Sequence, residues 1–155
     1  MIRRALAADI EAIIPLIRDH AVYESAPLPR LPSHDALADA LFGPTPVLWA
    51  WVAQKNDAVV GYASGSVAYS TWLGAKQFNL DCLYLAAHSR GEGMGKALIN
   101  AVATDAREAG CVVMEWVTPV WNTQAIGFYQ AMGARGEARE RFKLSLGPLG
   151  NTRGN

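Results

Sequence analysis

Three glycines in five positions, Gly91, Gly93 and Gly95, separate an apolar stretch from a helical one. A loop of that composition lets main chain approach an anion with no Cβ in the way. If a helix begins at its end, unpaired N–H groups and the positive dipole pole converge on the same spot. Arg90, Gly91, Glu92, Gly93, Met94, Gly95 and Lys96 therefore form a phosphate-binding candidate. Two common phosphate loops are excluded. The dinucleotide fingerprint, after Gly91 and Gly93, needs a glycine at 96, where Lys96 stands. The Walker-type loop needs glycine at 90 and Ser or Thr at 97, where the chain has Arg90 and Ala97. What stands there is R-x-x-G-x-G. On either side of the loop lie a carboxylate, Asp81, and a phenol, Tyr129, two groups able to exchange protons.

The elements that must position these groups follow from periodicity. Phe78, Leu80, Cys82 and Tyr84 alternate with Asn79, Asp81, Leu83 and Leu85, which predicts a central strand buried largely on both sides. Past the loop, Met94, Leu98, Val102 and Ala106 make one apolar helical face, stopped by Gly110. A strand over 111–117 follows, then a short helix over 122–132 closed by Gly133, and a last strand over 142–146. Upstream, residues 2–6 read as a strand and 8–22 as a helix made irregular by Pro15. Pro27, Pro29 and Pro32 make 24–32 an irregular loop, and Ser33 caps a second helix ending near Gly43. Strands over 47–54 and 59–69 form a hairpin about Lys55-Asn56-Asp57, and 70–74 turns into the central strand. The expected product is one α/β domain over 1–146 on a mostly antiparallel sheet, with a flexible tail over 147–155.

With 155 residues the chain is long enough for one real core and too short for two. Fourteen basic residues balance fourteen acidic ones without a Lys/Arg cluster, which argues against nucleic acid or an anionic membrane as partner. No apolar run reaches the roughly 18 residues of a membrane span. No signal-type apolar core follows Arg3 and Arg4. Cys82 and Cys111 read as reduced core residues, with no disulfide and no metal expected. A cytoplasmic protein is the expectation.

A second motif settles what the loop serves. Residues 121–134, Trp121-Asn122-Thr123-Gln124-Ala125-Ile126-Gly127-Phe128-Tyr129 through Gly133-Ala134, resemble the W-N-x-x-A-I-x-F-Y-x-x-x-G-A signature of the GNAT acetyltransferases. The R-x-x-G-x-G run is similar to that superfamily's coenzyme-A pyrophosphate loop. His20 to Glu24, Val60 to Ala63, Trp72-Leu73-Gly74 and Leu80-Asp81 resemble the diamine and polyamine branch, the spermidine/spermine and thialysine N-acetyltransferases. The resemblance implies a mixed, mostly antiparallel sheet of six or seven strands with splayed central strands and four helices. It also implies acetyl-CoA as co-substrate, a small-molecule amine as acceptor, direct transfer in a ternary complex and a homodimer.

By the same resemblance Asp81 deprotonates the amine, directly or through a water, and Tyr129 is the general acid for the leaving thiolate. A backbone N–H near Leu83 polarises the thioester carbonyl, and Leu83, Tyr84 and Leu85 pair with the pantetheine arm. Arg90, Gly91, Glu92, Gly93, Met94, Gly95, Lys96 and Asn122 fall at coenzyme positions. Tyr23, Glu24, Trp72, Asp81, Glu115 and Trp116 fall on the substrate side. The branch's further acids are replaced here by Cys82, Ser70 and the run Ser25-Ala26-Pro27-Leu28-Pro29, so a less cationic or smaller amine than spermine is expected. His20, His34 and His88 carry no signal. The alternatives are a non-catalytic acyl-CoA-binding domain, a protein N-acetyltransferase or a nucleotide-phosphate binder. Asp81 and Tyr129 together favour an enzyme.

Overall fold

The hairpin at the centre of the chain is set by two residues. Asn56 and Asp57 both adopt positive φ, 49° and 63°, the backbone of a two-residue turn whose twist matches that of its flanking strands. The structure, a computed structural model, describes residues 1–26 and 31–147. Its contacts divide the chain into two units, Met1–Pro119 and Val120–Asn155.

The first unit holds five strands: β1 (Ile2–Arg4), β2 (Trp49–Lys55), β3 (Ala58–Ser70), β4 (Ala75–Leu85) and β5 (Cys111–Glu115). They lie in the order β1-β2-β3-β4-β5. The first four are antiparallel, and β5 runs parallel to β4 after the crossover through α3 (Met94–Glu108). On one face α1 (Ile10–Tyr23) and α2 (His34–Phe42) bury Ile10, Ile13, Leu37 and Leu41 against Val52, Tyr62 and Tyr84. On the other face α3 buries Leu98, Ile99, Val102 and Ala106. The Trp51 indole N–H donates to Asp105 of α3 at 2.8 Å, and its ring meets Phe78 edge-on at 5.7 Å. The Ser33 hydroxyl caps α2 by accepting from the Ala36 N–H at 3.2 Å, as the sequence predicts. Pro15 lies inside α1 without ending it. No helix among the described residues is long and apolar enough to cross a membrane.

The second unit contains α4 (Thr123–Ala131), capped by the Asn122 side chain. No strand forms over 142–146, so among the described residues the sheet has five strands where six or seven are expected. The reason lies in the ladder. Alternation supplies an apolar face but no hydrogen-bond partner, and Phe142, Leu144 and Leu146 stand 89%, 85% and 94% exposed. The central strand also differs from expectation. Asn79 and Asp81 are exposed, so its middle is buried on one side only. Residues 27–30 of the expected irregular loop, and 148–155 of the expected flexible tail, lie outside the described residues.

Candidate active site

Asp81 owes its position to a break in register. Ser64 pairs with Cys82 and Gly65 with Leu80, leaving Asp81 as an extra residue on β4. Such a bulge re-aims side chains that strict alternation would send to opposite faces. Here Asp81 and Cys82, neighbours in sequence, line the same cavity. Gly65 permits the arrangement. A Cβ there would stand 2.5 Å from the Asn79 carbonyl oxygen and against the Phe78 ring.

The cavity, about 240 Å³, lies between α1, α2 and the sheet. Ile13, Ile17, Leu37, Leu41, Leu48 and Ala50 form its apolar walls, and Tyr62, Ser64, Asp81 and Cys82 its polar end. The Cys82 thiol donates to Asp81 Oδ2 at 3.7 Å. Burial, then the Asp81 charge beside it, pushes that thiol up to about 11. Tyr62 hydrogen-bonds Cys82, and burial raises its phenol far above the ordinary range. Its hydroxyl is also hydrogen-bonded to His20 Nδ1 at 3.2 Å, while Glu24 Oε1 lies 3.3 Å from His20 Nε2. A line of polar groups thus runs from Glu24 to Asp81. Sequence reasoning missed His20, Tyr62 and Ser64. One signal was available, since His20 continues the Ile13–Ile17 face of α1 at helical spacing.

Just before the bulge β4 loses its second neighbour. The pairing with β5 ends at Asn79 and Glu115, whereas β4 continues to Leu85 alongside β3 alone among the described residues. This is the expected splay. It leaves one main-chain edge of Leu83, Tyr84 and Leu85 without a neighbouring strand among the described residues. Glu115 sits where the strands part, with Trp116 just after it. The Tyr84 side chain stacks on His20 at 5.2 Å and is buried, so Tyr84 can offer a ligand only its main chain.

After β4 the glycine loop presents open main chain. Gly91 and Gly93 have φ of 80° and 79°, and nothing lies within 4 Å of where a Cβ would stand at either. The cap residue Gly93 brings no side chain to α3, whose first turn holds no acid. The first amide to bond inside the helix is that of Ala97, to Gly93 O at 3.0 Å. The N–H groups of Met94, Gly95 and Lys96 precede that ladder. Glu92 is ion-paired to Lys55 at 2.7 Å. Arg90 donates from Nε to the Leu85 carbonyl at 2.9 Å, and its guanidinium lies over Tyr23 and Tyr84 at 4.5 and 5.3 Å. Tyr23 and Glu24 are thereby tied to the same end of the sheet.

One expected partner is not brought here. Trp72 stands 96% exposed on the β3–β4 turn. Six residue steps along the strand, about 20 Å at the rise of an extended chain, separate Ala75 from Asp81. In the second unit Asn122 is buried and its Oδ1 accepts from the Ala125 N–H at 3.3 Å. Tyr129 lies on α4 with its ring 5.4 Å from that of Phe128.

Comparison with known proteins gives concordant results. The model of the acetyltransferase (GNAT) family matches residues 13–134. Thialysine N-epsilon-acetyltransferase from Bos taurus is 34% identical over 143 residues, covering 87% of this chain and 84% of its own. Among solved structures, an aminoglycoside acetyltransferase from a soil metagenome, in complex with sisomicin, superposes with a TM-score of 0.79 at 21% identity. That superposition covers 95% of this chain and 96% of the other. An aminoglycoside N-acetyltransferase in complex with CoA gives 0.75 at 22% identity, covering 94% of each chain.

Proposed function

Because the chain belongs to the acetyltransferase (GNAT) family, we propose that it moves an acetyl group from acetyl-CoA to a primary amine of a small molecule. Transfer is direct, within a ternary complex, with no covalent enzyme intermediate. One observation carries this reading: the bulge that turns Asp81 toward a cavity lies on the same strand that ends in the glycine loop.

Acetyl-CoA supplies an activated acyl thioester. The main chain of Leu83, Tyr84 and Leu85, the amides of residues 91–96, and Arg90, Lys96 and Asn122 would hold it. Asp81 deals with the acceptor. An alkylammonium with a pKa near 10.4 is neutral in only about one molecule in 2,500 at pH 7. Asp81, exposed at the cavity and hydrogen-bonded by Cys82, holds a negative charge for the ammonium and takes its proton, directly or through a water. The Leu83 N–H is the donor for the carbonyl oxygen, and Tyr129 holds the proton for the departing thiolate. Cys82 is no nucleophile in this scheme, since burial keeps its thiol protonated at neutral pH. The proposal includes a homodimer, the state implied by the family, to be checked by sedimentation.

The test is thiol release from acetyl-CoA across a panel of primary amines, with Tyr129→Phe beside the wild type. Amine-dependent release is expected, falling by about 10²-fold or more in Tyr129→Phe with coenzyme affinity retained. Binding of acetyl-CoA without release for any amine would instead indicate a non-catalytic acyl-CoA-binding domain.

A further inference from the structure

On the premise of acetyl transfer just argued, we infer that the acceptor is an amine with an apolar body, an aliphatic chain or aryl group that enters the cavity between α1, α2 and the sheet while its nitrogen stays at Asp81.

The lining decides the chemistry. Ile13 and Ile17 on one wall and Leu37 and Leu41 on another face Leu48 and Ala50 of the sheet side. Among the described residues that line it, Asp81 is the one charged group. The polar neighbours do not add charge: Cys82 and Tyr62 are both held in their neutral forms by burial. A single carboxylate at one end of an apolar chamber complements a single ammonium at one end of an apolar molecule. A second ammonium further along the same ligand would be desolvated against isoleucine and leucine, with no second carboxylate among the described lining residues to pair with it, which is strongly unfavourable. The bulk also fits. An apolar cavity of about 150 Å³ is enough for benzene, and this one is about 240 Å³.

Two features distinguish the chamber from a packing defect. It begins at Asp81, which is exposed, so a ligand has a way in. Its polar end is built by the register break that brings Asp81 and Cys82 to one face.

The test compares initial rates at saturating acetyl-CoA on hexylamine and phenethylamine with those on putrescine and spermidine. The apolar amines should show kcat/KM higher by about tenfold or more, the scale at which one or two methylenes discriminate in an apolar pocket. Leu41→Trp, which fills the chamber, should raise KM for phenethylamine by about tenfold while the Kd for CoA, measured by calorimetry, holds. The wild-type panel stands by itself if that variant does not fold. Preference for putrescine or spermidine overturns the inference and leaves acetyl transfer standing. No thiol release with any of the amines, though CoA binds, overturns the transfer reading and the inference with it.

Discussion

From Lys76 to Asn79, β4 is hydrogen-bonded to β3 on one edge and to β5 on the other; from Leu80 to Leu85, among the described residues, only β3 remains. The two halves differ in every property that follows from pairing. The first is core. Phe78 is fully buried and meets both Trp49 and Trp51 at 5.7 Å, and its ring leaves no room for a methyl group at Gly65 on β3. The second half carries the bulge, an exposed acid, a cavity wall and a free main-chain edge, and it ends in the glycine loop. The proposed chemistry falls where a strand keeps its rigidity from one neighbour and gives up the other. The same sheet that fixes Asp81 thereby leaves hydrogen-bonding groups beside it for a ligand.

That contrast can be broken at either half. Phe78→Ala, in the doubly paired half, should cost about 3–5 kcal/mol of stability, the range for emptying a buried phenylalanine site. It would be read as a lower urea midpoint at constant slope. A loss below about 1 kcal/mol would mean that this half is not the anchor. Asp81→Asn, in the open half, should do the reverse. Its kcat/KM for amines should fall by about 10²–10³-fold, the reach of one general base. Stability should move by no more than about 0.5 kcal/mol, as for an exposed substitution. Equal losses in both measurements would make Asp81 a structural residue and erase the distinction.

Two glycines sharpen it. Gly93 and Gly110 stand at opposite ends of α3, both at positive φ (79° and 86°) with no atom closer than 4.0 Å to a would-be Cβ. Alanine at either should therefore cost a similar strain, about 1 kcal/mol. Gly110 leads into Cys111, the partner of Lys76 in the doubly paired half, whereas Gly93 caps the helix next to the open half. Only Gly93→Ala should weaken coenzyme binding, by about tenfold in Kd through the displaced amides of the first turn. A matching loss in Gly110→Ala would assign the effect to α3 as a whole.

How much of this could be seen in the chain itself depends on the range of the interaction. The glycine loop, the Asn56-Asp57 turn and the caps at Ser33 and Asn122 are local, and each reads directly from its own residues. The bulge does not. Nothing in the residues about Asp81 announces an extra one, because the break is defined against Ser64 and Gly65 on the neighbouring strand. The cavity gathers residues from 13 to 82, so no window of sequence contains it. Position 142–146 shows the opposite failure: alternation was present, but a strand needs a partner that alternation cannot promise. Trp72 matched a family position, yet the length of β4 carries it away from Asp81.

Cys82 gives the finest test of the open half, because its titration reports both burial and the carboxylate next to it. Burial and then the charge of Asp81 raise its thiol to about 11, from an ordinary value of 9.0. Folding therefore favours the protonated form. The resulting stability is fully present below about pH 9 and is lost as pH climbs toward about 11. The reactive species is the thiolate, so alkylation by iodoacetamide at pH 8 should be about 10²-fold slower in the native protein than in urea. Peptide mapping separates Cys82 from Cys111. Asp81→Asn removes one of the two causes, so the Cys82 rate at pH 8 should rise in that variant while the rate in urea stays the same. Native Cys82 reacting as fast as the unfolded chain would place the thiol in open solvent, and the wall it forms with Asp81 would have to be abandoned.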